Sequence, residues 1–112
     1  MARKFVFDIE TTPRPGIMDT FYPMWAETKY PGKEGQELED MAALHAEFGM
    51  VCAIAIGNAL TDDPPTVHTA GSVAEERDLL EAVSDIFDSE NAILIGHNIK
   101  GFDIPFMAKR FM

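Results

Sequence analysis

Three carboxylates stand where a soluble domain seldom places charge. Asp8 and Glu10 lie two apart in Phe7-Asp8-Ile9-Glu10-Thr11, and Asp103 ends the stretch Gly96-His97-Asn98-Ile99-Lys100-Gly101-Phe102-Asp103. Each stretch follows an apolar run that reads as a buried strand: Phe5-Val6-Phe7 in the first, Ala92-Ile93-Leu94-Ile95 in the second. Ionised carboxylates at the ends of buried strands are costly unless a cation neutralises them, because lost hydration must be matched by opposite charge. A divalent metal is the natural candidate. Residues two apart on a strand project to one face, so Asp8 and Glu10 can meet the same ion. Taken singly, Asp8 also reads as a turn carboxylate at a strand end, and Asp103 as a helix-capping or first-turn acid. Their joint occurrence is what points to metal chemistry.

The elements that must position these acids follow from the pattern of apolar residues. Residues 3–9 are rich in strand formers. Residues 12–49 are broken by Pro13, Pro15, Gly16, Pro23, Pro31, Gly32 and Gly35, which predicts an irregular excursion. Within it, 37–47 is predicted as a short helix carrying Leu38, Met41, Ala42 and His45 on one side. Phe21, Tyr22, Met24, Trp25 and Tyr30 form an aromatic and apolar cluster that packs over the core or presents a contact surface. Residues 50–56 read as a strand buried on both faces. Asp62-Asp63-Pro64-Pro65 turns the chain into a short strand at 66–69, giving an antiparallel hairpin. Ser72-Val73-Ala74-Glu75 matches a capping box. Leu79, Leu80, Val83, Ile86 and Phe87 then recur at helical spacing, with the acids Glu75, Glu76, Asp78, Glu81, Asp85 and Asp88 expected on the solvated side. A strand at 92–95 and a helix starting near Phe102 or Asp103 complete the order, and Pro105 is tolerated in the first helical turn. The order implies an α/β fold with a mixed sheet, and a right-handed crossover through the long helix.

Composition narrows the remaining choices. A chain of 112 residues holds one domain. It contains no run of about 18 apolar residues, so no membrane span or membrane partner is expected. The apolar stretch after Arg3-Lys4 is too short for a signal peptide. The single cysteine, Cys52, sits in an apolar run and is read as a small buried hydrophobe, in keeping with a reducing, cytoplasmic setting. His45 and His68 read as packing or surface residues, and His97 as the end of a strand. The net charge of −10 opposes a nucleic-acid partner at face value. Its distribution softens that objection: Arg3, Lys4 and Arg14 flank the first motif, and Lys100, Lys109 and Arg110 lie in or after the second.

Paired at a separation of about ninety residues, in the right strand and helix contexts, Asp-x-Glu-Thr and Gly-His-Asn-x-x-x-Phe-Asp resemble the first two motifs of the DEDD superfamily of 3′–5′ exonucleases. The nearest likeness is to predicted exonucleases related to the proofreading domain of B-family DNA polymerases. Glu47-Phe48-Gly49-Met50-Val51-Cys52-Ala53-Ile54 and Glu75-Glu76 before Leu79-Leu80 share it. The resemblance spans the chain apart from 14–43. It implies a ribonuclease H-like mixed sheet with flanking helices, C-terminally incomplete, with an irregular insertion at about 13–49. It implies Asp8, Glu10 and Asp103 as catalytic metal ligands for two magnesium or manganese ions, and Thr11, Asn98 and Phe102 as substrate-binding residues. The implied reaction releases nucleoside 5′-monophosphates from the 3′ end of a single-stranded nucleic acid, DNA before RNA. The family's third motif, with a fourth acid and a tyrosine or histidine base, has no counterpart here. The expectation is therefore a fragment with reduced or no activity alone, whose exposed apolar face is covered by a further segment or by a second copy. The alternatives are a non-catalytic nucleic-acid- or protein-binding module of the same fold, and an endonuclease on the same scaffold.

Overall fold

The computed structural model describes residues 3–61, 63–87, 92–96 and 99–111. Among them, four strands form one mixed sheet in the order β3-β2-β1-β4, where β1 is Arg3–Pro13, β2 Gly49–Asn58, β3 Thr66–Thr69 and β4 Ala92–Ile95. The pairs β1–β2 and β2–β3 are antiparallel and β1–β4 is parallel. The helices are α1 Tyr22–Lys29, α2 Gly35–Asp40, α3 Val73–Phe87 and α4 Ile104–Phe111. This is the ribonuclease H-like mixed sheet with flanking helices.

Alternation along β1 sorts the sheet into two faces. Phe7 and Ile9 are buried and join Ile54, Ile56, Leu79, Leu80, Val83, Phe106 and Met107 in the main core, which packs α3 and α4 against the sheet. Val6, Asp8 and Glu10 project to the opposite face, which is solvated and also carries exposed Val67, Ile93 and Ile95. The period of two therefore separates the acids from the core. It breaks once. Glu10 faces Ala53 but Thr11 faces Val51, leaving Cys52 as the extra residue of a β-bulge. Cys52 is half-buried rather than fully buried, its thiol donating to the Glu10 carbonyl at 3.4 Å, and burial pushes the thiol above its ordinary range.

The excursion is more ordered than its prolines and glycines suggest. The helix predicted over 37–47 is instead α2 followed by a 3₁₀ turn at Met41–Leu44, and α1 was not anticipated at all. Pro23 falls in the first turn of α1, where no amide donor is needed, so it starts the helix rather than breaking it. Ile17, Tyr22, Ala26, Leu38, Ala42 and Phe48 close a second small core, with the Tyr22 hydroxyl donating to the Leu38 carbonyl at 2.6 Å. The aromatic cluster thus divides, Tyr22 packing inward while Phe21, Met24 and Trp25 stay exposed. The turn before β2 is locked by close approach. A Cβ at Gly49 would stand 2.8 Å from the Ala42 carbonyl oxygen, and the Gly49 amide donates to the His45 carbonyl at 2.7 Å.

Helix α3 opens as its capping motif predicts, with the Glu75 amide donating to the Ser72 hydroxyl at 3.1 Å. The Glu75 carboxylate returns to the Gly71 amide at 2.7 Å, one residue earlier than a standard box. One expectation about this helix is overturned. Glu76 is only 2% exposed. It lies three and four residues before Leu79 and Leu80, which puts it on the buried stripe rather than the solvated side. Asp88 lies outside the described residues.

Candidate active site

The described parts of the two motifs come together beside the middle of β1. Asp8 and Glu10 stand exposed on the open face of the sheet. Ile99–Asp103 form a single π-helical turn that leads into α4, a local widening often found at functional positions. It delivers Asp103 beside β1. Asp103 is 5% exposed, and its Oδ2 has no hydrogen-bond partner. Burial holds the Asp103 carboxyl above its ordinary range. The backbone amide of Ile9 opposes that shift, and the nearby charges of Asp8 and Glu10 add to it. The three acids therefore share one electrostatic neighbourhood, as the sequence pattern anticipates.

That neighbourhood fits a divalent cation chemically. Its donors are hard carboxylate oxygens, and one of them is buried without any donor to satisfy it. The acids are not drawn into a closed cradle: among the described residues no three His, Cys, Asp or Glu side chains converge closely enough to hold one ion between them. The Thr11 hydroxyl donates to the Ala43 carbonyl at 2.8 Å, so it pins the turn before β2 against β1. Phe102 is half-buried against the core and stacks at 5.4 Å on Phe106. Asn98 and His97 lie outside the described residues.

Two supporting features were missed in the sequence. The first is a buried ion pair. Arg110 Nε donates to Glu76 Oε1 and Oε2 at 3.2 and 3.0 Å, and its Nη2 also donates to Oε1. Glu76 Oε2 accepts the amide of Val51 at 2.7 Å, beside the bulge facing Glu10 and Thr11. Glu76 thus links α3, the bulged strand and the helix that carries Asp103. The signal was available in the position of Glu76 on the Leu79–Leu80–Val83 stripe. The second is a cleft of about 120 Å³ between the turn before β2 and the start of α4, lined by Leu44, His45, Phe102, Pro105 and Lys109 among others. Tyr30 Oη lies 2.5 Å from His45 Nε2. Burial pushes the imidazole below its usual range, with Glu47 opposing and Lys29 and Lys109 adding to that effect. A neutral ring can either accept from or donate to the Tyr30 hydroxyl, according to its tautomer. No local sequence pattern announces this cleft, because it joins residues far apart in the chain.

Comparison with known proteins adds one match. The family model described as DNA polymerase family B, exonuclease domain, matches residues 44–112, from the turn before β2 through α4. The matched part contains Asp103, Glu76 and Arg110, while Asp8, Glu10 and most of the excursion precede it. No curated protein matches the chain.

Proposed function

Since the chain belongs to the exonuclease-domain family of family B DNA polymerases, we propose that it is a metal-dependent 3′–5′ exonuclease domain acting on the 3′ end of single-stranded nucleic acid, DNA in preference to RNA. Its products are nucleoside 5′-monophosphates. The observation that carries this reading is the buried, unpartnered Oδ2 of Asp103, electrostatically coupled to Asp8 and Glu10. A carboxylate kept in that state asks for a cation, and an acid pair on the open face of the neighbouring strand is where one is useful.

Asp8, Glu10 and Asp103 would be the residues that hold magnesium or manganese. Bound ions supply charge neutralisation at the scissile phosphate and an activated water for in-line attack. The chain's own part is positional. The π-helical turn presents Asp103 to β1. The Thr11–Ala43 bond fixes the turn whose Leu44 and His45 face Phe102 across the cleft, and Phe102 is assigned to substrate contact by the motif. Asn98 is assigned to substrate placement by the motif alone.

A second reading, a non-catalytic nucleic-acid- or protein-binding module, is favoured by the failure of the three acids to converge. Manganese titration followed by calorimetry, comparing the chain with Asp8→Ala, separates the two. The nuclease reading expects saturable binding that Asp8→Ala abolishes, together with manganese-dependent shortening of a 5′-labelled single strand from its 3′ end. Equal binding by both proteins sinks it.

A further inference from the structure

The place of the Asp103 carboxylate depends on the helix that carries it. Its Oδ2 has no hydrogen-bond partner, and the Ile9 amide of β1 acts on the same carboxyl. Asp103 stands directly before α4. Asp103, Phe106, Met107 and Arg110 recur at helical spacing and form one stripe, with the first three buried and Arg110 nearly so. Arg110 lies seven residues beyond Asp103, about 10 Å along the helix axis. Phe106 and Met107 hold α4 to the sheet by apolar burial, which has no direction of its own. Arg110 adds direction. Its guanidinium is a rigid fork that meets Glu76 through Nε and Nη2, and its Nη1 donates to the Ala46 carbonyl at 3.4 Å. Fork contacts of this kind fix orientation as well as distance. The other end of the contact is the strand beside the acid pair. Glu76 Oε2 accepts the Val51 amide at 2.7 Å. Val51 faces Thr11 and Ala53 faces Glu10, with Cys52 bulged between them. Bulges re-aim the side chains around them. One buried carboxylate is thus held both by the bulge opposite Glu10 and by the helix that begins at Asp103.

We propose that Glu76 and Arg110 are positioning residues of the metal site, which set the rotation and height of α4 against the bulge and so place Asp103 relative to Glu10. Neither belongs to the ligand set. The inference rests on the reading of Asp8, Glu10 and Asp103 as metal ligands, and it goes beyond a stabilising role for the pair. Charge and position predict opposite effects on metal binding. Removing the Arg110 cation leaves the neighbourhood more negative, so Coulomb attraction alone would make a divalent cation bind more tightly. Loss of position makes it bind more weakly.

The test compares the parent with Arg110→Met, Arg110→Lys and a control, Tyr22→Phe, which removes the buried bond to the Leu38 carbonyl in the second core. All are measured at a temperature where circular dichroism shows each protein folded. One readout is manganese affinity by calorimetry. The other is the Ile9 amide resonance of the metal-free protein by NMR, with Asp103→Ala marking its position when the carboxylate is gone. Arg110→Met is expected to weaken manganese binding about tenfold, the lower end of the loss on removing groups that orient metal ligands. It should also move the Ile9 resonance toward its place in Asp103→Ala. Arg110→Lys keeps the charge but not the fork, so it should shift both readouts the same way by less. Tyr22→Phe should match the parent in both. An Ile9 resonance unmoved in both Arg110 variants overturns the proposal. So does manganese binding in them as tight as in the parent or tighter, or an equal loss in Tyr22→Phe. A parent that binds no manganese sinks the nuclease reading instead, and the Ile9 resonance then decides the positional one by itself.

Discussion

Arg110→Met tests the buried pair on which the position of α4 depends. The substitution keeps the apolar stem of the side chain and removes the guanidinium. Glu76, 2% exposed, then retains the Val51 amide as its one remaining donor. Breaking a buried pair from one side costs about 3–5 kcal/mol, since an uncompensated charge stays inside. A domain of this size has about 5–15 kcal/mol of total stability, so the variant should lose about a fifth of it or more. Glu76→Leu strands the guanidinium instead, though Arg110 keeps the Ala46 carbonyl through its Nη1 at 3.4 Å and is less deeply buried. Its cost should be smaller. The double variant leaves only the Val51 amide unpaired, worth about 1–3 kcal/mol. The singles should therefore overshoot the double, with a coupling of about 2 kcal/mol or more. Urea unfolding of the four proteins reads this directly, with a constant slope certifying that each unfolds in one step. A cost below about 1 kcal/mol for Arg110→Met, or single effects that simply add, would refute the assignment of this pair as the clamp on α4.

Three other outcomes follow from the structure. Gly49→Ala drives a methyl group into the Ala42 carbonyl, and should lower stability by about 1–3 kcal/mol in thermal melts; an unchanged melt would show that the turn yields freely. Asp103 is held above the ordinary aspartate value of 3.8, so its contribution to the fold is fully present below 3.8 and is lost as pH rises through the higher folded value. Asp103→Asn should therefore stabilise the metal-free chain at pH 7 by about 1 kcal/mol, with the gain fading toward pH 3, while manganese should raise the melting temperature of the parent but not of the variant. A less stable Asp103→Asn in EDTA at pH 7 would contradict the strain assigned to this carboxylate. Tyr30→Phe removes the hydroxyl hydrogen-bonded to His45 Nε2 and should move the His45 midpoint in an NMR titration, upward where the hydroxyl is the donor to the neutral ring; no movement would mean that this bond does not set it.

The order of strands and helices along the chain, the hairpin between β2 and Thr66–Thr69, and the capped α3 were legible because each has a local cause. Period-two alternation, a Ser72 cap and turn residues act over a few positions. The excursion holds more helix than its prolines and glycines predict, because such residues can start an element as well as break one. Pro23 begins a helix as readily as it ends one, and the second core around Tyr22 joins residues from five separate stretches. Glu76 was misread because residue type outweighed position: a glutamate in an acid-rich helix was assigned to water although its spacing placed it with Leu79, Leu80 and Val83. Its partner lies 34 residues away, and no local pattern announces a partner at that distance.

The extra residue at Cys52 has a consequence for how this chain can change length. Val51 and Ile54 are both buried although they are three apart, an odd number that only the bulge permits. Upstream and downstream halves of β2 are thus out of phase by one residue. Deleting Cys52 would leave Val51 and Ile54 two apart, so both keep the core face and the ladder with β1 becomes regular. Adding or removing a residue elsewhere in β2 would instead slip one half of the strand against β1 and turn its buried side chains to the other face. The middle of β2 should therefore tolerate the loss of its one extra residue, while other changes of count are better absorbed in the exposed loop after Asn58.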